Sequence, residues 1–372
     1  MASFSGTNSL PIIIVGAGPC GLVTALALKK YDVPFVIIEK ASRSKICSNA
    51  GSGFELARTA VEIFQDRLGL DVANFMSYYR GMAVLNNSGK IIRHCRQDFI
   101  GGSVNRAEMQ NYLLEQIFPS SSDEEGILLC GSGLETYREE IQEGANGGMV
   151  IAKLSSGEEI SGSALLACDG IHSRVRAVLH GGYDDTKDWK TNSERANVKD
   201  PLHFCGAIAY WGKTRVLKGS ALEHEFAKTQ MAKTPNKGES TNHCTSFAVT
   251  LTTPTQPASL FLVPSANGTM LNWAITLKSE SSSRSENNNG KDLTRRGGGP
   301  LTEADKKRLF DFTAHGKDSE SVVKNISDFP LLQQLIELTP ASDITEAGLF
   351  DRQNLDLPYS SESNLVALLG GK

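Results

Sequence analysis

Apolar positions fall along the chain in two rhythms, and the switches between them mark its elements. Ile12-Ile13-Ile14-Val15 is an unbroken apolar run of buried-strand type, stopped at once by Gly16-Ala17-Gly18-Pro19-Cys20-Gly21. Helical spacing follows in Leu22, Val23, Ala25, Leu26 and Leu28, then a second apolar run, Phe35-Val36-Ile37-Ile38, which ends on Glu39. Lys40 to Ala50 reads as a polar loop. Residues 55–68 return to helical spacing and stop at Gly69, whereas Tyr78 to Cys95 alternates around Asn86-Asn87-Ser88-Gly89, the pattern of a hairpin. Val104 to Phe118 predicts a helix that Asn105 can cap, with Met109, Tyr112, Leu113 and Ile117 on one face and Pro119 behind it.

The second half is mainly strand-like. Strand patterns occupy 127–131, 134–140 and 149–154. Ala164-Leu165-Leu166-Ala167-Cys168 predicts a buried strand that leads into Asp169-Gly170 and a helix over 173–179. Residues 181–201 read as a polar linker, and the strand patterns at 203–211, 245–252, 258–263 and 269–277 predict an antiparallel sheet. The stretch 279–300 carries Leu293 as its single apolar side chain besides proline and is expected to be disordered. Helices are expected over 301–315 and 330–338, and Asn364 to Gly370 predicts a last buried strand.

Strand, glycine turn, helix, strand and acid, in this order over 12–39, are what a dinucleotide-binding βαβ unit requires. Gly16 permits the tight turn off the strand, Gly18 leaves room for a pyrophosphate, and Gly21 lets the helix pack close. The helix N-terminus offers N–H groups and a positive dipole end to phosphates, and Glu39 can accept hydrogen bonds from ribose hydroxyls. A bare structural turn would not need all five parts to agree.

Composition narrows the class without changing this reading. The chain has 40% hydrophobic and 22% charged residues and a net charge of −4, so nothing global points to nucleic acid. No apolar run approaches the ~20 residues needed to span a bilayer, and the N-terminal ten residues lack the pattern of a signal peptide. The seven cysteines are scattered and never spaced as CxxC, which suits small buried hydrophobes in a reducing, cytoplasmic setting. His203-x-Cys205 and His243-Cys244 are too few ligands for a metal site.

Four motifs lie in order along the chain: Gly16 to Gly21 with Glu39, Gly51-Ser52-Gly53-Phe54-Glu55-Leu56, Val104-Asn105-Arg106-Ala107-Glu108-Met109, and Cys168-Asp169-Gly170-Ile171-His172-Ser173-Arg174. Together they resemble the class A FAD-dependent monooxygenases, the group of aromatic-ring hydroxylases, kynurenine 3-monooxygenase and zeaxanthin epoxidase. The resemblance implies FAD held by Gly16, Ala17, Gly18, Gly21, Glu39, Glu55, Arg106 and Asp169. Each of the later residues also has a plainer reading. Arg106 is either a phosphate or ribose partner or a surface arginine, Asp169 a ligand-facing carboxylate or a helix cap, and Glu55 a residue near the flavin or a solvated carboxylate. Ser173 and Arg174 are read as shaping their helix, and Tyr210, Trp211 and Trp273 as core aromatics before substrate platforms.

The resemblance implies an α/β fold: a Rossmann-like FAD-binding domain over 1–77, 96–185 and 330–372, and an inserted antiparallel-sheet substrate domain over 78–95 and 186–329. It implies that NAD(P)H reduces the flavin and that O2 supplies an oxygen atom to a small apolar, aromatic or polyene, substrate. No residue stands out as a catalytic acid or base. Another flavin oxidoreductase on the same scaffold, or an inactive FAD-binding protein, are the other readings. The family carries a Gly-Asp-Ala-Ala-His motif after its last strand, where this sequence has Gly370-Gly371-Lys372. The full product is expected to continue with that motif, the other expectation being a chain that holds FAD poorly and does not turn over.

Overall fold

The computed structural model describes residues 9–47, 53–85, 91–120, 126–141, 148–180, 202–220, 223, 247–252, 259–265, 270–278, 298–315, 330–352 and 356–369. The chain divides into two compact units, one of Met1–Ser48, Ala107–His203 and Phe350–Lys372, the other of Asn49–Arg106 and Phe204–Leu349. In chain order come β1 (Ile12–Val15), α1 (Pro19–Lys30), β2 (Phe35–Glu39), α2 (Arg43–Ile46), β3 (Phe54–Ala57) and α3 (Arg58–Glu62). The hairpin strands β4 (Met76–Leu85) and β5 (Ile91–Val104) lead to α4 (Arg106–Ile117). Then follow β6 (Leu128–Cys130), β7 (Leu134–Ile141), β8 (Gly148–Leu154), β9 (Glu159–Gly162), β10 (Ala164–Ala167) and α5 (Arg174–Leu179). The chain continues through β11 (Leu202–Arg215), β12 (Phe247–Thr252), β13 (Ser259–Ser265), β14 (Met270–Lys278) and β15 (Gly298–Pro300). It closes with α6 (Glu303–His315), α7 (Pro330–Leu338), β16 (Thr345–Arg352) and β17 (Val366–Leu368).

The first unit is organised on a parallel sheet of order β17-β10-β1-β2-β6. Ile14 pairs with Ile37 of β2 on one side and with Leu166 of β10 on the other. Strands covered on both faces read as continuous apolar runs, as β1 and β2 do. Val15, Val36, Ile38, Leu165 and Ala167 pack with Val150 and Ala152 of β8 and with Val366 and Leu368 of β17 in one core. The connection from β1 goes to β2 on one side and the later β10 enters on the other. That reversal opens a crevice at the C-terminal ends of the strands, where open α/β sheets bind ligands. Lys29, in the last turn of α1, donates to the carbonyls of Gln116 (3.0 Å) and Ile117 (2.6 Å) and so closes the C-terminal end of α4.

Among the described residues, the second unit carries most of a nine-stranded sheet of order β15-β16-β11-β14-β13-β12-β4-β5-β3. Leu271, Trp273 and Ile275 of β14 alternate into its core. Trp273 lies opposite Gly212 of β11, where a Cβ would come within 2.6 Å of the indole ring. The indole N–H donates to the hydroxyls of Thr214 (2.9 Å) and Thr339 (3.1 Å), so this buried tryptophan has its polar atom satisfied. Trp273 is thereby a core residue.

Several expectations change. Residues 55–57 are strand, not helix, because β3 pairs with β5 through Phe54 and Val104, and the helical stretch starts at Arg58. The segments 49–77, 96–106 and 330–349, expected with the nucleotide domain, fall in the second compact unit, since β3, β4 and β5 belong to its sheet. That sheet is not wholly antiparallel: β12 runs parallel to β4. Arg43–Ile46 forms a helical turn inside the expected loop. Gly298–Pro300 is a strand paired with Thr345–Ala347, so the tail of the stretch expected to be disordered is ordered by pairing. Residues 279–297, the linker 181–201, Gly51-Ser52, the turn 86–90 and Gly370 lie outside the described residues.

Candidate functional site

Three adjacent parallel strands of the first unit end side by side: β2 on Glu39, β1 on the turn Gly16–Gly21, and β10 just before Cys168-Asp169. Gly16 has φ +102°, a left-handed value, and a Cβ there would lie 2.5 Å from the Cys168 carbonyl oxygen. A Cβ on Gly21 would lie 1.9 Å from the Gly16 carbonyl oxygen, so α1 can seat against the turn only with glycine there. Gly18 differs from both. Its φ is −71°, open to any residue, and nothing among the described residues stands within 4 Å of where its Cβ would be. Folding requires Gly16 and Gly21, whereas the space kept free at Gly18 serves no contact among the described residues.

The peptide at Ala17 is clamped on both sides. Its N–H donates to Glu39 Oε2 (2.7 Å), and its carbonyl accepts from Gln110 Nε2 (3.1 Å). Glu39 Oε1 accepts from the Ala41 N–H (2.7 Å), which leaves each carboxylate oxygen a further lone pair for an incoming hydroxyl. Gln110 is a positioning residue that the sequence reading did not single out. The signal was available: Gln110, Leu113, Leu114 and Ile117 are buried at helical spacing, so a polar side chain sits within an apolar stripe. No side chain among the described residues caps α1, and no acidic residue stands in its first turn, which leaves its positive end for an anion.

Asp169 is a helix cap with one carboxylate oxygen left over. Its Oδ2 accepts from the backbone N–H groups of Arg174 (2.7 Å) and Val175 (3.2 Å), which caps α5. Its Oδ1 is buried and has no hydrogen-bond partner among the described residues. Burial pushes the carboxyl above its usual range, while hydrogen bonds from Ser173 and the backbone pull the other way. Ser173 Oγ accepts from the Arg176 N–H (2.9 Å), and Arg174 Nε donates to the Glu135 carbonyl (2.6 Å), so both shape the helix. Arg176 is buried with its guanidinium 5.9 Å from the Tyr359 ring centre.

Gly16, Ala17, Gly18, Gly21, Glu39 and Asp169 therefore converge. Glu55, exposed on β3, and Arg106, half-buried at the start of α4, belong to the second unit. An uncapped helix end beside an open glycine, hydroxyl acceptors at Glu39 and an unpartnered carboxylate oxygen at Asp169 fit a dinucleotide, with its diphosphate and its ribose hydroxyls.

The family model described as FAD binding domain matches residues 9–201. The chain is 28% identical over 252 residues to the aurachin C monooxygenase/isomerase of Stigmatella aurantiaca, a match covering 60% of this chain and 62% of that protein. It is 28% identical over 186 residues to an FAD-dependent monooxygenase of Emericella nidulans, covering 46% of this chain and 44% of that one. The chain thus spans less than two thirds of the length of these curated relatives. Its fold is like that of CtdE in complex with FAD and a substrate, with TM-score 0.69 and 14% identity, covering 97% of this chain and 74% of that one. A salicylate hydroxylase substrate complex gives TM-score 0.62 and 17% identity over 98% of this chain and 73% of the other. Klebsiella pneumoniae HpxO complexed with FAD and uric acid gives 0.64 and 16% over 97% and 72%.

Proposed function

The chain belongs to the FAD binding domain family, in its class A monooxygenase group, and from that membership we propose that it hydroxylates or epoxidises a small aromatic substrate with NAD(P)H and O2. The observation that carries the reading is the meeting of an open glycine, an uncapped helix end and two carboxylates at the ends of β1, β2 and β10. In this reading the first turn of α1 holds the diphosphate of FAD against its N–H groups, with Gly18 giving it room. Glu39, already oriented by two backbone N–H groups, takes ribose hydroxyls, and Asp169 Oδ1 gains the donor it lacks. Arg106 is proposed as a cationic partner of the cofactor and Glu55 as a residue near its ring, both on the resemblance alone. The bound flavin supplies the electron and oxygen chemistry that amino-acid side chains lack.

The relatives favour an aromatic substrate, since one is a salicylate hydroxylase and another was crystallised with uric acid. The second unit is proposed to line the substrate site. No helix among the described residues is long and apolar enough to cross a membrane, and a cytoplasmic place of work is part of the proposal.

The test is to purify the chain, measure bound FAD, and follow NAD(P)H oxidation with and without phenolic and heteroaromatic compounds. Retained FAD and NAD(P)H oxidation stimulated by an aromatic compound that gains oxygen are expected. A chain that neither retains FAD nor takes it up would overturn the reading. FAD retention with oxidation indifferent to every such compound would instead favour another flavin oxidoreductase.

A further inference from the structure

Two thiols meet where the glycine turn touches the end of β10. Cys20, the second residue of α1, is exposed, and its Sγ lies 3.6 Å from Sγ of the buried Cys168 and 3.6 Å from the Leu369 carbonyl oxygen. Thr24 Oγ1 stands 3.9 Å from the Cys168 sulfur. The backbone of Cys168 is held in place: its N–H donates to the Val15 carbonyl (2.8 Å), and its carbonyl lies against Gly16. The two residues are 148 positions apart, so this juxtaposition is made by the fold and not by local sequence.

The two sulfurs are not equivalent. Cys20 sits at the positive end of a twelve-residue helix, which favours a thiolate. The hydrogen bond with Cys168, and a smaller one with Thr24, lower its pKa to about 7 against the effect of burial. Cys168 moves the opposite way, raised by that same hydrogen bond and by burial, with the neighbouring Asp169 adding to it. Cys20 thus gives up its proton first and is the one solvent can reach, while Cys168 keeps its proton and faces Cys20.

We propose that Cys20 and Cys168 form a peroxide-oxidisable thiol pair, Cys20 reacting first and Cys168 resolving it to a disulfide. In the first step the Cys20 thiolate attacks a hydroperoxide. The O–O bond breaks, an S–O bond forms, sulfur is oxidised by two electrons, and the leaving alkoxide or hydroxide takes a proton. In the second, Cys168 loses its proton and attacks the Cys20 sulfenic acid. The S–S bond forms, the S–O bond breaks, and water leaves. The sulfurs must close from 3.6 Å to about 2.05 Å, a movement that rotation of the exposed Cys20 side chain can provide. The bond would staple the first turn of α1 to the strand end that carries Asp169.

The experiment treats the purified full chain with hydrogen peroxide, blocks remaining thiols, and maps peptides by mass spectrometry with and without dithiothreitol. A reducible link between the Cys20 and Cys168 peptides is expected, forming before Cys47, Cys130 or Cys205 is modified. In Cys168→Ser, dimedone should trap sulfenic acid on Cys20, and in Cys20→Ser, Cys168 should stay reduced. Links to other cysteines, oxidation of Cys168 in Cys20→Ser, or Cys20 reacting no faster than the remaining cysteines would overturn the proposal. The wild-type map needs no variant to fold and does not depend on FAD being bound, so it fails or succeeds separately from the proposed activity.

Discussion

At the scale of single residues, three glycines in one turn do different work, and substitution separates them. Gly18→Ala places a methyl group in empty space at an ordinary backbone angle, so thermal unfolding of the protein alone should be unchanged. FAD affinity should fall by about tenfold or more, the equivalent of ~1.4 kcal/mol, measured by flavin titration. Gly21→Ala must displace the Gly16 carbonyl from 1.9 Å, and a loss of several kcal/mol of stability (about 3) is expected from a clash between backbones that cannot both stay. If both variants lost stability equally, the free space at Gly18 would not be a ligand site. Cys20 yields a pH prediction of its own. Its alkylation rate by iodoacetamide should climb through pH about 7, because the thiolate accumulates as pH rises past a value lowered from 9.0. Cys168→Ala should move that midpoint upward, since it removes the hydrogen-bond partner that is the main cause of the lowering.

At the scale of elements, the sequence was most legible where one strand or helix carries its own signal. β1, α1, β2, β10 and α5 appear where periodicity and glycine punctuation put them, and with them Glu39 and Asp169. What escaped depends on partners far along the chain. β3 is a strand because Val104 pairs with it and because Gly53 lies against the Val104 carbonyl, where a Cβ would come to 2.2 Å. Its short Phe54-Glu55-Leu56-Ala57 segment has no alternation long enough to outweigh the helical spacing beyond it. β16 reads Thr-Glu-Ala-Gly-Leu-Phe-Asp-Arg, too polar to announce itself, and is held by its neighbours β15 and β11. The cysteines show the same limit. The reading of small buried hydrophobes fits Cys168, whereas Cys20 and Cys205 are exposed. The joint between β11, β14 and α7 makes a direct test of packing. Thr339 is fully buried and shares the Trp273 N–H with Thr214. Thr339→Val keeps the shape and removes the hydroxyl, so a loss of about 1–3 kcal/mol is expected by denaturant unfolding.

At the scale of the molecule, the parallel sheet gathers strands from the whole sequence: Ile12 pairs with Ala164, and Leu165 with Val366. A ligand that binds at their ends binds only the folded chain. FAD at a hundredfold above its Kd should add about 2.7 kcal/mol and raise the melting temperature by on the order of 5 °C. A tenfold affinity loss in Gly18→Ala should cut that gain to about 1.4 kcal/mol, roughly half of the shift, at the same FAD concentration.

The chain passes from one compact unit to the other four times, at 48/49, 106/107, 203/204 and 349/350. Neither unit is therefore a continuous length of coding sequence. A recombination event with a single crossover cannot swap one half for a homologous half, and a fragment expressed up to any one of those junctions would lack strands of its own sheet. Evolution of a new substrate preference in such a protein has to proceed by substitution within the interwoven whole, because there is no detachable cassette to trade.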